Sequence, residues 1–544
     1  MRSRMKKLLD NLRDSERAQF TLVFCIITTV LAIEVVYYTL FLNTWFDEAN
    51  FAYKSWLSGN GLALPFIDFT NKYPSFIFYL EALLQKLWGP TILGARILSA
   101  AFLAGSLVLL YRIGKQIGGK FIGVLALAFL AANPYLVGYY TSATPYAATV
   151  FFLLLGFWLL EKDNLNIRSR VFLASGAMML GALVRYNVIP VMILLWLYIG
   201  LRWRKWNYVW LSVGTTAGLL LIAFLPYAYI DGYGALVWFV AMFGPLVPTT
   251  FKLPSAEGPH SLFSLLGANY IASFTPFFIK FFPILAIVGG GCLAWILSGA
   301  QAMRESISRH RATAFATAIF LTLFAAHFIV PTDQWSLLHS LYFLPFGIIA
   351  AAGMISIVVE KLKSVDAWRF VRIPVVSFII ATLLASSVSL ALSGPDIIFF
   401  NHWDLGESDL ARVARGGAYL ASLTKPEDIL MSFDSPHDVF MAGRVQIPQT
   451  INGEFTYLRD TPAEDLKPFA YFNHGMFIDW LENYADVVVF QKAFLPETIL
   501  GNGADLKQFE TILASKYQLV GSIENVYPRK YTRGDGVMEV YRRK

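Results

Sequence analysis

Residues 20–53 read FTLVFCIITTVLAIEVVYYTLFLNTWFDEANFAY, and this stretch joins a long apolar run to an acidic pair. The run over residues 20–42 exceeds the roughly 20 apolar residues that an α-helix needs to cross a bilayer core. It is too long for the apolar part of a signal peptide and lacks a small-residue cleavage site, so a retained span is expected. Asp47 and Glu48 follow at once. The pair is therefore predicted to lie at the membrane boundary.

Further apolar runs bring the number of candidate spans to eleven. They lie near residues 93–112, 121–138, 145–160, 171–185, 188–201, 208–229, 271–298, 313–331, 341–359 and 373–393. The runs 171–185 and 188–201 are short and share a hinge, so they are also consistent with a helical hairpin that does not fully cross. With 56% hydrophobic residues, the chain is expected to be mainly α, a polytopic bundle of transmembrane helices.

Basic residues set the expected orientation, because Lys and Arg of short loops are retained on the cytoplasmic side. The N-terminal tail and five alternate loops hold half of the 44 Lys and Arg. The N-terminus is therefore predicted to be cytoplasmic, and an odd number of spans places residues 394–544 outside. This asymmetry accounts for the net charge of +7, so nucleic-acid binding is not expected.

The change in polarity near residue 393 predicts two domains: 1–393 in the membrane, and 394–544 as a soluble extracytoplasmic α/β domain. Within the second domain, strands are predicted over 428–433, 454–458, 485–491 and 537–543, and a helix over 506–517. It contains no phosphate-binding loop, dinucleotide fingerprint or zinc spacing. An accessory domain is therefore expected.

Two long outer loops, near residues 43–92 and 230–270, are the places where function is expected. The first contains YPSFIFYLEALLQKLWG, which is too short to span and is interrupted by polar residues, so it predicts a helix at the membrane interface. The second contains four prolines within GPLVPTTFKLPSAEGPHS. A lid over a substrate site and a plain surface connector both fit that composition.

Charged residues on the outer side suggest a site for a phosphate beside a hydroxyl group. A partly desolvated carboxylate such as Asp47 can accept a proton from a hydroxyl, although an acidic pair also suits a solvated loop start. Lys72 and Arg185 are cations at membrane depth, where an anion would stabilise them, and snorkelling to the surface is the alternative. His339 is a third candidate donor, but the residues alone favour an interfacial histidine that is hydrogen-bonded to the backbone.

Four segments together resemble the GT-C superfamily of integral membrane glycosyltransferases, in particular the group with the protein O-mannosyltransferases and the lipid A aminoarabinose transferase. DEANFAY resembles the acidic motif of the first loop in that superfamily. The other segments are NKYPSFIFYLEALLQKLWG, GARILSAAFLAGSLVLLYRIGKQIGG and LHSLYFLPFGIIAAAG. The resemblance covers most of the chain, and a soluble outer domain is common in bacterial members.

The resemblance implies an inverting transfer of a hexose or pentose from a polyprenyl-phosphate donor to a lipid, glycan or protein acceptor. It implies Asp47 as general base with Glu48 beside it, and Lys72, Arg185 and His339 as ligands of the donor phosphate. The implied location is the bacterial inner membrane, with membrane lipid as a partner. A divalent ion held by Asp47 and Glu48 remains an open alternative, but the uncharged GYYTSATPYAAT departs from the family's second acidic loop.

Two other classes compete with an enzyme. A transporter or flippase of a lipid-linked sugar would also carry intramembrane charges, but repeated halves with matching broken helices are absent from the sequence. A sensory protein would need an anchor and an outer domain, and eleven spans exceed what anchoring requires. The neighbouring genes would select among lipid, capsule and protein acceptors.

Overall fold

The computed structural model describes residues 16–42, 44, 46–65, 67–69, 76–231, 268–329, 337–363, 408–432, 436–491, 503–524 and 537–544. Lys72, the proline-rich segment of the second long loop, the predicted span 373–393 and the predicted domain boundary lie outside these ranges.

Fourteen α-helices precede residue 364 in the described part of the chain. They are α1 (Glu16–Phe41), α2 (Phe46–Gly59), α3 (Phe76–Trp88), α4 (Ile92–Gly118), α5 (Lys120–Ala131), α6 (Pro134–Thr141), α7 (Tyr146–Glu161), α8 (Ile167–Val184), α9 (Pro190–Trp203), α10 (Trp206–Asp231), α11 (Ala268–Leu297), α12 (Ala300–Arg309), α13 (Arg311–Ile329) and α14 (Leu344–Lys363). Two short 3₁₀ helices, Tyr186–Val188 and Leu337–Tyr342, lie before α9 and α14.

Six of the described helices are long and apolar enough to cross a membrane, and the bent pair of α5 and α6 adds a seventh if it forms one span. The six are most of α1, then α4, α8, α9 with its preceding 3₁₀ turn, α10 and most of α14. Helix α7 and the apolar parts of α11 and α13 are shorter. The chain is an integral membrane protein with a mainly helical fold, as its composition predicts. The runs 171–185 and 188–201 form two separate helices of spanning length.

The predicted span over residues 121–138 is wrong as a single straight helix. Helices α5 and α6 meet at an angle of 78°. The break has a local cause, since a residue that precedes proline avoids the helical region. Asn133 precedes Pro134 and has φ −133° and ψ 73°, outside helical geometry. Every residue of α6 is buried, so the bend directs this short helix into the protein.

The bundle buries one face of its long helices and leaves the other exposed. The core contains residues from each helix between α4 and α9 and from α13 and α14. Leu153, Leu195 and Phe346 are among its fully buried side chains. On the outer faces Leu197 and Ile222 are more than half exposed. Such faces suit a lipid solvent, in which apolar side chains need no burial inside the protein.

The C-terminal part forms a five-stranded mixed sheet with the order β2-β1-β3-β5-β4. Its elements are α15 (Asp409–Leu423), β1 (Ile429–Ser432), α16 (His437–Met441), β2 (Val445–Gln446), α17 (Ala463–Leu466), α18 (His474–Asp479), β3 (Val487–Gln491), α19 (Gly503–Lys516), β4 (Tyr517–Glu524) and β5 (Val537–Arg543). Strands β2, β1 and β3 are parallel, whereas β5 is antiparallel to β3 and β4. The predicted strands over 428–433, 485–491 and 537–543 and the predicted helix are confirmed.

The predicted strand over 454–458 is wrong. A 3₁₀ segment over Pro448–Thr456 occupies most of it, and Gly453 there has φ 55°, a left-handed conformation that breaks an extended chain. Tyr457 makes only an isolated bridge to Phe472. The sequence pattern does not predict strands β2 and β4, because β2 has two residues and β4 follows α19 without a turn signal.

Helix α2 belongs to the first long loop, between α1 and α4, yet it shares one apolar core with the C-terminal sheet. Its residues Ala49, Ala52 and Leu57 are fully buried in the same cluster as Leu430 and Phe440. The ring of Tyr53 lies 6.0 Å from that of Phe440. The C-terminal part therefore packs directly on the helix that begins with the acidic pair, which an independent accessory domain would not require.

We expect the replacement Asp438→Asn to stabilise the protein above neutral pH. Burial raises the pKa of Asp438 from 3.8 to about 7, and its Oδ1 has no hydrogen-bond partner within the described residues. Between about pH 4 and pH 7, Asp438 is protonated in the folded state and ionised in the unfolded state. The contribution of the buried neutral carboxyl group to stability is therefore lost as pH rises through 7. Each pKa unit corresponds to about 1.4 kcal/mol, so a rise of about three units sets an upper bound of about 4 kcal/mol on the stability that the variant gains at pH 8.

Thermal unfolding of the full-length protein in detergent at pH 5 and pH 8 measures this effect. The gain should be large at pH 8 and small at pH 5. Asp428→Asn is the matched control, because the Asp428 carboxylate is paired with Arg542 at 3.1 Å and accepts the Lys425 amide at 2.7 Å. It should lower the unfolding temperature at pH 8. A loss of stability in Asp438→Asn at pH 8 would contradict the prediction.

Candidate functional site at one end of the bundle

The acidic pair opens a helix rather than lying in a loop. Asp47 and Glu48 occupy the first turn of α2, where the positive end of the helix dipole favours carboxylates. Consecutive residues of an α-helix point about 100° apart, so the two side chains face different surroundings. Asp47 is partly exposed, whereas Glu48 is completely buried. The two acids are therefore not interchangeable.

Glu48 forms a buried ion pair that the sequence did not predict. Arg96 donates from Nε to Oε1 of Glu48 at 2.8 Å and from Nη2 to Oε2 at 2.7 Å, and both side chains have no exposed surface. The amide of Ala143 donates to Oε1 at 2.7 Å. The remaining Nη1 of Arg96 donates to the carbonyl of Leu42 at 2.8 Å. Glu48 thus joins α2 to α4 and to the turn that precedes α7.

The resemblance implies that Glu48 serves in catalysis and metal binding, whereas its observed contacts are those of a structural ion pair. Both of its oxygens accept from Arg96, and a divalent cation beside that guanidinium would meet strong repulsion. The described residues contain no group of three or more His, Cys, Asp or Glu side chains that could hold a metal ion. The residues present at Glu48 therefore do not fit the implied metal.

Arg185 lies where α8 ends, with an exposed fraction of only 5%. Its guanidinium carbon is 4.4 Å from the ring centre of Tyr146 and 4.8 Å from that of Tyr342. The electron-rich faces of both rings attract the cation. This arrangement holds the planar guanidinium in one orientation, which suits recognition of a phosphate.

Tyr146 and Tyr342 are the site residues that reasoning from the sequence missed. Tyr146 lies in GYYTSATPYAAT and Tyr342 in LHSLYFLPFGIIAAAG. Neither carries a charge, so a search for charged residues does not find them. The observable signal is weak: each tyrosine lies close to a helix start, Tyr146 at the first residue of α7 and Tyr342 two residues before α14. Only the fold brings the two rings within 5.6 Å of each other.

A small apolar cluster brings Asp47 and Arg185 to the same region. Val184 precedes Arg185 and packs with Phe51, which lies one helical turn after Asp47. Ile77 and Phe78, near the start of α3, also belong to the cluster. Lys72 precedes α3 by four residues in the sequence, and its own position lies outside the described residues.

His339 lies in the 3₁₀ helix Leu337–Tyr342, three residues before Tyr342. One 3₁₀ turn has three residues, so the backbones of the two residues lie on the same side of this helix. The hydroxyl of Tyr140 donates to the carbonyl of Leu341 and fixes the segment against α6. The structure therefore brings the backbone at His339 to the region of Arg185, and the function of its side chain stays a prediction.

Comparison with known proteins identifies the fold. The profile of the dolichyl-phosphate-mannose-protein mannosyltransferase family matches residues 72–230, less than a third of the chain. No curated protein matches the sequence. The apo structure of ArnT from Cupriavidus metallidurans is similar, with a TM-score of 0.56 and 12% identity, over 97% of this chain and 98% of that chain.

A second structure of the same ArnT, bound to undecaprenyl phosphate, is similar with a TM-score of 0.52 and 11% identity, again over 97% of this chain and 98% of that chain. Identity this low establishes the fold and not the activity. The chain has the GT-C fold, from the first helix to the C-terminal sheet. This confirms the fold class that the sequence predicts.

Proposed function

We propose that this GT-C-fold membrane protein is an inverting glycosyltransferase. It moves a hexose or pentose from a polyprenyl-phosphate donor to the hydroxyl of a lipid, glycan or protein acceptor on the extracytoplasmic face. The observation that carries the proposal is the convergence of a partly exposed carboxylate, Asp47, and an aromatic-clamped guanidinium, Arg185, at one end of the bundle.

The two groups suit the two ends of a single displacement. The Asp47 carboxylate takes the proton of the acceptor hydroxyl as its oxygen attacks the anomeric carbon. One carbon–oxygen bond forms while the bond to the donor phosphate breaks, and the bonding pair leaves with the lipid phosphate. Arg185 stabilises the negative charge that this phosphate gains. Attack from the side opposite to the leaving group inverts the anomeric centre.

Lys72 belongs to the same proposal on sequence grounds. It precedes α3 by four residues, and α3 starts in the apolar cluster beside Arg185. A second cation there would share the charge of the departing phosphate. The likeness to an ArnT structure bound to undecaprenyl phosphate supports a lipid phosphate as leaving group.

The positions of the helix ends support an extracytoplasmic site. The acidic pair follows α1, Arg185 ends α8, and Tyr342 precedes α14, so all lie at one end of the bundle. The basic segments after α4, α7 and α9 lie at the opposite end, which the positive-inside rule assigns to the cytoplasm. The proposal therefore places the N-terminus inside and the C-terminal sheet outside, in a bacterial inner membrane.

Reconstituted protein and a panel of labelled undecaprenyl-phosphate hexoses and pentoses test the function. A lipid extract and a hydroxylated peptide serve as acceptors. We expect release of undecaprenyl phosphate together with label in an acceptor for at least one donor. Movement of an intact donor across the vesicle membrane, without cleavage of the sugar–phosphate bond, would contradict transfer and support the transporter.

We expect Arg185→Lys to lower kcat/KM for the donor by about 10 to 100-fold, because lysine keeps the charge but loses the planar two-donor geometry. Arg202→Lys is the matched control. Arg202 likewise lies against an aromatic ring, with its guanidinium carbon 4.9 Å from the ring centre of Trp203. It pairs with Glu161 and lies at the opposite end of the bundle. Donor titrations of both variants measure the effect. If kcat/KM for the donor is equal in the two variants, Arg185 is a structural residue and does not bind the donor phosphate.

A further inference from the structure

The short connector between α1 and α2 is held from two sides. On the side of the bundle, Arg96 donates from Nη1 to the carbonyl of Leu42 at 2.8 Å. On the side of the C-terminal sheet, the amide of Thr44 donates to Oδ2 of Asp409 at 3.1 Å. Thr44 is 1% exposed. Three residues later the chain reaches Asp47, so both contacts fix the backbone that leads to the acid.

Asp409 is the residue of the C-terminal part that anchors the connector, because its carboxylate accepts the Thr44 amide. It is the first residue of α15 and is 6% exposed, and its Oδ1 accepts from Nη2 of Arg412 at 2.8 Å. Burial raises the pKa of Asp409, while Arg412, the Thr44 amide and Arg96 favour its charged form and Glu48 opposes it. The carboxylate therefore lies within electrostatic reach of the buried Glu48 and Arg96 pair.

The C-terminal part also contacts the body of α2. The hydroxyl of Tyr53 donates to the carbonyl of Arg444 at 2.9 Å and accepts from the amide of Gln446 at 2.7 Å. Lys54 donates from Nζ to Oδ1 of Asn452 at 2.7 Å. These bonds fix the middle of α2, and the Asp409 contact extends this control to the connector before its first turn.

We propose that the C-terminal domain positions the general base, with Asp409 as a positioning residue that acts through the Thr44 backbone. The inference rests on the proposed function of Asp47. The first turn of a helix has backbone amides without intrahelical partners and frays more readily than its interior. A connector anchored by Asp409 restricts that fraying. A small displacement of a catalytic group can lower a rate substantially, so the anchor has a kinetic consequence.

Hydrogen exchange tests the anchor without any assumption about the reaction. In full-length Asp409→Ala, we expect the amides of residues 42–51 to exchange about 10-fold faster than in the wild type. Asp409→Asn keeps an acceptor oxygen for the Thr44 amide and should retain most of the protection. Asp428→Ala is the matched control, because it also removes a buried carboxylate that accepts a backbone amide and pairs with an arginine.

The kinetic arm measures donor turnover in the same variants. Asp409→Ala should lower kcat about 10-fold with an unchanged donor KM, whereas Asp409→Asn and Asp428→Ala should stay within about 2-fold of the wild type. Unchanged exchange in Asp409→Ala would overturn the anchor. Faster exchange with unchanged kcat, in a protein that Asp47→Asn inactivates, would overturn the positioning function. If Asp47→Asn itself retains full turnover, the proposed function fails, and exchange alone decides whether Asp409 anchors the connector.

Discussion

Replacement of Asp47 by Asn is expected to lower kcat for sugar transfer by about 10² to 10⁴-fold, the usual contribution of a general base. Asn has nearly the same shape and still accepts a hydrogen bond, but it cannot take the proton of the acceptor. Asp47 is partly exposed in the first turn of α2, so the variant should fold and insert normally. Release of undecaprenyl phosphate from a labelled donor measures the loss.

Asp68→Asn is the control for this experiment. Asp68 lies in the same loop, between α2 and α3, and its Oδ2 accepts the amide of Leu64 at 2.7 Å. Its replacement therefore alters a turn without removing the proposed base. It should keep turnover within about 3-fold of the wild type, because Asp68 takes no part in the proposed proton transfer. Near wild-type turnover in Asp47→Asn would end the assignment of Asp47 as base.

The elements of the membrane bundle were predictable because their causes are local. A run of apolar residues long enough to cross a bilayer predicts a helix whatever its neighbours are. The run 121–138 shows the limit of that reasoning, since its hydropathy is continuous while Pro134 breaks its backbone. The proline was visible in the sequence, and the 78° bend was not.

The candidate site was predictable in part. Asp47 and Arg185 were identifiable as a carboxylate and a cation at membrane boundaries, and the fold brings them to one end of the bundle. The pairing of Glu48 with Arg96 depends on a contact between two helices, and Arg96 alone reads as an ordinary charge near the end of a span. Nothing in a charge pattern shows that Arg96 is fully buried in the folded protein.

The relation between the first loop and the C-terminal sheet could not be predicted, because hundreds of residues separate the two. Tyr53 meets Gln446, and Thr44 meets Asp409, through bonds that depend entirely on tertiary structure. Strand patterns can predict β1 and β3, but they do not show that the apolar surface beside those strands is covered by α2. The C-terminal part, which its sequence predicts to be an accessory domain, is therefore structurally continuous with the candidate site.

The largest effect on folding is expected from breaking the buried pair of Glu48 and Arg96. Removal of one partner leaves the other charge buried without compensation, which typically costs about 3 to 5 kcal/mol. This is a large part of the roughly 5 to 15 kcal/mol by which native proteins are stable. We therefore expect Glu48→Gln and Arg96→Met each to lower the midpoint of unfolding sharply. Asp163→Asn is the exposed control, because Asp163 pairs with Arg170 while its own side chain is 91% exposed. It should cost less than about 1 kcal/mol.

The double variant Glu48→Gln with Arg96→Met separates the ion pair from the packing around it. The introduced glutamine would still accept the amide of Ala143, and the introduced methionine would fill part of the volume of the arginine, so neither charge is left alone. We expect the double variant to be more stable than either single variant by about 1 to 3 kcal/mol, which is the signature of direct coupling. Full recovery is not expected, because the carbonyl of Leu42 loses the donor that Arg96 provides. Additive losses in denaturant titrations of the purified full-length protein would show that the two side chains act independently, and the buried pair would then not organise the start of α2.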